Sequence, residues 1–205
     1  MSKRAERRRD ERGEPAQPRA RGRRATIAAA VGVVAVLAVV AAVMQRDGDA
    51  PATAGFEAPN VEMVAYQGEE VLGGERSRLH DVLGQGRPVV VNFWAASCPP
   101  CREEMPGFQR VYDELGDDYV MLGIDIGPFV RLGTHDGARA FLGEYDIGYP
   151  AAYAADENVV RDFEIRSMPT TVFFDAEGRI VDRHTGFLPE DRLRRQIESL
   201  LTEGG

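Results

Sequence analysis

Sulfur and imidazole are scarce in this chain: of its 205 residues, two are Cys and three are His. That scarcity disfavours a zinc site, because His80, His135 and His184 offer no His-x-x-x-His spacing and there is no second Cys pair to complete four ligands. No Cys lies near Met44, which excludes a lipid-modified amino-terminal cysteine there. Residues 1–24 contain no aromatic side chain on which bases can stack, so this basic run does not point to nucleic acid. No metal and no cofactor are expected.

What the chain does contain is both cysteines in one motif, Cys98-Pro99-Pro100-Cys101, entered from the apolar run Val89 to Val91. If that run is a buried strand and a helix opens after Cys98, the first sulfur sits at the helix N-cap. There, unpaired backbone N–H groups and the positive end of the dipole favour a thiolate. Pro99 and Pro100 suit the first helical positions, where no N–H is needed and a fixed φ fits the turn. Their stiffness aims the Cys101 N–H at the Cys98 sulfur. Cys101, one turn in, is expected to be more buried and to resolve a mixed disulfide formed on Cys98. The spacing predicts a reactive dithiol with Cys98 as nucleophile and Cys98–Cys101 as its oxidised form. A merely structural disulfide closing so short a loop constrains the unfolded chain little.

Charge is unevenly distributed. Residues 1–24 hold ten Lys and Arg against four acids, leaving fifteen against twenty-nine in the remainder, a change from +6 to −14. At the boundary lies ATIAAAVGVVAVLAVVAAVM, residues 25–44, with no charge. At ~1.5 Å rise per residue such a stretch crosses a ~30 Å hydrocarbon core. It reads as one transmembrane signal anchor. The arginines before it (Arg19, Arg21, Arg23, Arg24) and the acids after it (Asp47, Asp49) place the amino terminus in the cytoplasm. The rival is a cleaved signal peptide, against which the length argues. The expected organisation is a disordered basic tail at 1–24, the span at 25–44, a linker at 45–55 and an extracytoplasmic domain at 56–205. Its acidic charge serves solubility or steers a basic partner.

Within that domain, 58–63 and 67–71 look like short strands about a turn at Gly68, and 77–83 like a short helix. A core strand at 88–93 leads into a helix at 99–115, kinked at Pro106. A strand at 119–126 and a helix at 138–145 follow, separated by the glycine-flanked segment 127–137, which reads as a surface excursion. A short helix at 158–163, a hairpin of 170–175 with 179–185, and an amphipathic helix at 189–201 complete the pattern. The order implies an α/β fold with a central mixed sheet covered on both faces.

Val90-Val91-Asn92-Phe93-Trp94-Ala95, the Cys98–Cys101 motif with Arg102-Glu103-Glu104-Met105-Pro106 behind it, and Ser167-Met168-Pro169-Thr170-Thr171 before the hairpin are together specific. Residues 56–202 resemble the membrane-anchored, thioredoxin-like thiol–disulfide oxidoreductases of the TlpA/ResA type, near the redoxin branch that includes CcmG/DsbE. The resemblance implies a thioredoxin-like fold in which Pro169 is a cis-proline facing the dithiol and Met168 pairs through its backbone with a substrate strand. Pro99, Pro100 and a half-buried Trp94 would complete the active-site surface. It also implies partner-protein dithiols or disulfides, most often apocytochrome c haem-binding cysteines, reduced with electrons from a membrane donor resembling CcdA/DsbD.

Two positions depart from that pattern. Asn92 stands where thioredoxin has a buried Asp and cannot act as a base, and Glu103 and Glu104 read as a solvated face. Ser97 replaces the Trp of most relatives, which is expected to expose Cys98 further. Three other functions compete. A general thiol oxidase or isomerase would share the chemistry at a higher potential. A peroxiredoxin-like peroxidase needs Thr-x-x-Cys, and Ala95 occupies the Thr position. A Sco-like copper-binding chaperone needs Cys-x-x-x-Cys and a His such as His135 or His184.

Overall fold

Residues 89–94 and 120–125 are buried at every position, as strands are only when both faces of their sheet are covered. A computed structural model of the chain describes residues 58–203, which belong to the unit Thr53–Gly205. The expected tail, the span at 25–44 and the linker at 45–55 lie outside the described residues. Among the described residues no helix is long and apolar enough to cross a membrane.

In chain order the elements are β1 (Glu62–Gln67), α1 (Glu69–Leu72), β2 (Arg76–Arg78), α2 (Leu79–Leu83), β3 (Val89–Trp94), α3 (Pro99–Leu115) and β4 (Val120–Asp125). They continue with α4 (Gly127–Val130), α5 (His135–Glu144), β5 (Ala151–Ala154), α6 (Asn158–Asp162), β6 (Thr170–Phe174), β7 (Ile180–Thr185) and α7 (Glu190–Glu203). One mixed sheet runs in the order β2-β1-β5-β4-β3-β6-β7. Within it β3 pairs in parallel with β4, and β4 with β5, while the remaining pairs are antiparallel.

Alternation along β3 divides the core in two. Val89, Val91 and Phe93 join Leu79, Val82, Phe163 and Phe174 on one face. Val90 and Trp94 meet Met105, Phe108, Phe141, Leu193 and Ile197 of α3, α5 and α7 on the other. The strand β7 alternates half-buried and exposed positions, as befits a sheet edge. The helix α3 runs through Pro106 as one element.

Two local expectations are corrected, and one strand is unexpected. Of the segment 67–71 only Gln67 is strand, as the end of β1, because Gly68 adopts φ 79° and its carbonyl accepts from Val71 and Leu72, so the chain coils into α1. The strand β5, Ala-Ala-Tyr-Ala, escapes sequence reading because alanine has little strand preference; its pairing with β1 and β4 overrides that. The excursion at 127–137 contains α4 and the start of α5, and it docks on the loop before Cys98.

A side chain at Gly68 would be doubly penalised, since its Cβ would stand 2.8 Å from Pro150 Cα and its φ lies in the left-handed region. Gly68→Val is expected to destabilise the fold by about 2 kcal/mol or more in denaturant unfolding. Unchanged stability would contradict that account.

Candidate active site

The three parallel strands end on one side of the sheet, where open α/β sheets place their ligands. The chain leaves β3 at Trp94, crosses Ala95-Ala96-Ser97 and enters α3 with Cys98 as N-cap. The Cys98 sulfur accepts the Cys101 N–H at 3.3 Å, and Pro99 and Pro100 fill the first helical positions. The two cysteines form a disulfide with Cα atoms 5.3 Å apart. In the reduced chain the same N–H and helix end face the Cys98 thiolate. Arg102 fixes the approach: its guanidinium donates to the Ala96 carbonyl at 3.1 Å and lies 4.7 Å over the Phe141 ring.

Beside the end of β3, where Thr170 of β6 pairs with Phe93, the Met168–Pro169 peptide is cis. The ladder of β6 begins only at Thr170, so the Met168 backbone precedes the paired strand. Met168 is half-buried and touches both cores, whereas Pro169 is buried. Pro99 is exposed and Pro100 half-buried.

Two exposures differ from expectation. Cys98 is only 2% exposed despite the small Ser97, and it belongs to a core cluster against which Val130, Leu132 and Met168 also pack. Trp94 is fully buried, its ring 5.4 Å from Phe141, so it shapes the site from beneath and presents no surface to a partner.

Glu104 is the residue that sequence reading misplaced. Glu103 is exposed as expected, but Glu104 is 2% exposed. Its Oε1 accepts from Asn92 Nδ2 at 2.9 Å and its Oε2 from the Leu188 N–H at 2.8 Å, while Asn92 also donates to Thr171 Oγ1 at 3.0 Å. The signal lay in the spacing: Cys101, Glu104, Met105 and Phe108 share one helical face. Burial pushes the Glu104 carboxyl up to about 8, against the opposing effect of the Leu188 and Asn92 hydrogen bonds.

The histidines are engaged apart from the sulfurs. His80 pairs with the Ala58 carbonyl, His184 with the Phe187 carbonyl, and His135 with Tyr66. Among the described residues no group of three or more His, Cys, Asp or Glu side chains is arranged to hold a metal ion.

The description "AhpC/TSA family" applies to the family model that matches residues 54–183. The chain belongs to that family. It is 31% identical over 152 residues to the thiol-disulfide oxidoreductase ResA of Halalkalibacterium halodurans, covering 74% of this chain and 80% of the relative. It is 28% identical over 144 residues to the thioredoxin-like protein YneN of Bacillus subtilis, covering 70% and 78%. Among solved structures, a putative thiol:disulfide interchange protein DsbE from Chlorobium tepidum superposes with a TM-score of 0.59 at 23% identity, over 72% of this chain and 96% of that one. The fold is thioredoxin-like, and the chain is a thiol–disulfide oxidoreductase.

Because the folded state raises the Glu104 pKa, it favours the protonated carboxyl. That stabilising contribution is complete below about pH 4.5 and is lost as pH rises towards about 8. Glu104→Gln, neutral throughout, is expected to remove a decline of at most ~1.4 kcal/mol per pH unit in that window, measured by denaturant unfolding with the disulfide intact. Parallel stability curves for the two proteins would refute the assignment.

Proposed function

We propose that this oxidoreductase works outside the cytoplasm, tethered by residues 25–44, and reduces partner disulfides through Cys98. The carrying observation is the Cys98 sulfur at the N-terminus of a 17-residue helix, accepting the Cys101 N–H with buried Glu104 one turn further in. In the reduced chain the Cys98 thiolate attacks one sulfur of the partner disulfide, forming a mixed disulfide and releasing the other partner sulfur as a thiolate. Cys101 then loses its proton and attacks the Cys98 sulfur. The partner's second thiolate leaves, and the Cys98–Cys101 disulfide present in this structure remains. Two electrons have passed to the partner. The Cys101 proton ends on one of the released partner thiolates, and Glu104, on the same face of α3, is held up by burial at about 8, in the range of an ordinary thiol.

The proposed clients are the haem-binding cysteines of apocytochrome c, and the proposed source of electrons is a membrane dithiol donor of the CcdA/DsbD kind. The support is the likeness to ResA and the charge pattern around residues 25–44, with arginines before the apolar stretch and acids after it. A general oxidase or isomerase would use the same residues at a different potential.

Two measurements on the full-length chain test this reading. Cys101→Ser should accumulate a mixed disulfide with partner proteins, while Cys98→Ser should abolish exchange; accumulation by Cys98→Ser instead would reverse the two roles. The reduction potential of the dithiol should lie near that of thioredoxin, about −270 mV, and a value near that of DsbA, about −120 mV, would sink the reductant assignment.

A further inference from the structure

The segment between β4 and α5 is tied down at both ends by a single buried carboxylate. Asp125, the last residue of β4 and 1% exposed, accepts the Gly127 N–H on Oδ1 at 2.8 Å, where α4 begins. Its Oδ2 accepts the Tyr66 hydroxyl at 2.8 Å, and that hydroxyl lies 2.8 Å from Nδ1 of His135, where α5 begins. Since Tyr66 spends its one proton on Asp125, His135 donates from Nδ1 to the phenol oxygen. The pairing of β1 with β5 shifts register between Ala65 and Gln67, and such a bulge re-aims a side chain; here it coincides with Tyr66. The Tyr66 ring is braced by Tyr153 at 5.4 Å and by the Arg139 guanidinium at 4.8 Å. Burial and the Asp125 charge both raise the Tyr66 pKa, which keeps the phenol a donor.

What this arrangement holds in place borders the dithiol. Arg131, in a left-handed conformation at φ 60°, turns the chain after α4. The Leu132 carbonyl then accepts the Ser97 N–H at 2.7 Å, one residue before Cys98. Gly133 permits the approach, for a Cβ there would stand 3.2 Å from that of Ala96, at φ +148°. The Leu132 side chain is half-buried against the cluster that includes both cysteines.

We propose that Asp125, Tyr66 and His135 form a clasp that sets residues 127–134 as a specificity wall of the exchange site, with Leu132 contacting an apolar side chain beside the partner's cysteine. Tyr66, Asp125 and His135 are positioning residues, acting through the loop. The inference rests on the exchange reaction proposed above. It assigns to the wall the part of the surface that Ser97 leaves small.

The test measures reduction of three disulfides by the reduced full-length chain: glutathione disulfide, and two synthetic peptides closed by a Cys-x-x-Cys disulfide, with Leu or Glu before the first cysteine. Relative to glutathione disulfide, the wild type should prefer the Leu peptide over the Glu peptide by about tenfold in kcat/KM. Leu132→Ala should abolish most of that preference, and Tyr66→Phe, which keeps the ring contacts and removes the bridging hydroxyl, should do the same through KM. The double variant should lose no more than either single one, the non-additivity expected when one residue acts through the other. No preference in the wild type, or a preference kept by either variant, or losses that add in the double variant, would overturn the wall. Failure of the wild type to reduce any of the three would overturn the exchange reading itself.

Discussion

The site depends on one placement: a cysteine sulfur held at the end of a strand that cannot move, against the first N–H groups of a long helix. The strand β3 is buried at all six positions and hydrogen-bonded on both sides, to β4 and to β6. Rigid backbone there fixes where α3 begins, and two prolines fix how it begins. The Cys101 N–H therefore meets Cys98 without any adjustment of the chain, so the thiolate finds its donor already oriented.

Around that fixed point the protein arranges two buried carboxyl groups for different tasks. Glu104 lies on the inward face of α3, with Asn92 and the Leu188 N–H as donors, and burial keeps it largely protonated at neutral pH. Asp125 lies at the end of β4, in register with Trp94. Burial raises its pKa too, but the Gly127 N–H and the Tyr66 hydroxyl oppose that rise, with His135 alongside. The first accompanies the sulfur chemistry; the second shapes the loop that meets a partner. Their separation follows from the sheet, since α3 crosses Asn92 on β3 while α4 and α5 spring from β4.

Much of this was legible in the residues. The run VVVNFW before a Cys-Pro-Pro-Cys announces a buried strand feeding a helix, because apolar continuity and proline position are local properties. The helix at 99–115, the hairpin and the closing amphipathic helix also follow from periodicity and turn residues. Glu104 was readable only as a spacing from Cys101, and its charge argued for solvent; a neighbouring amide from Asn92 and a backbone N–H from distant Leu188 make its burial tolerable. The strand β5 carried no strand signal, for alanines pair there only because β1 and β4 flank them.

The sequence by itself determined the chemistry: two cysteines, their spacing and the prolines between them specify a dithiol at a helix N-terminus, since each of those effects acts within a few residues. Tertiary structure alone decided how far that dithiol is exposed and what borders it. Ser97 suggests an open nucleophile, yet Cys98 is 2% exposed, within a core cluster against which Leu132, Val130 and Met168 pack from distant parts of the chain. The Tyr66, Asp125 and His135 contacts join residues 59 and 69 positions apart. Sheet pairing brings such groups together, and no local pattern encodes it.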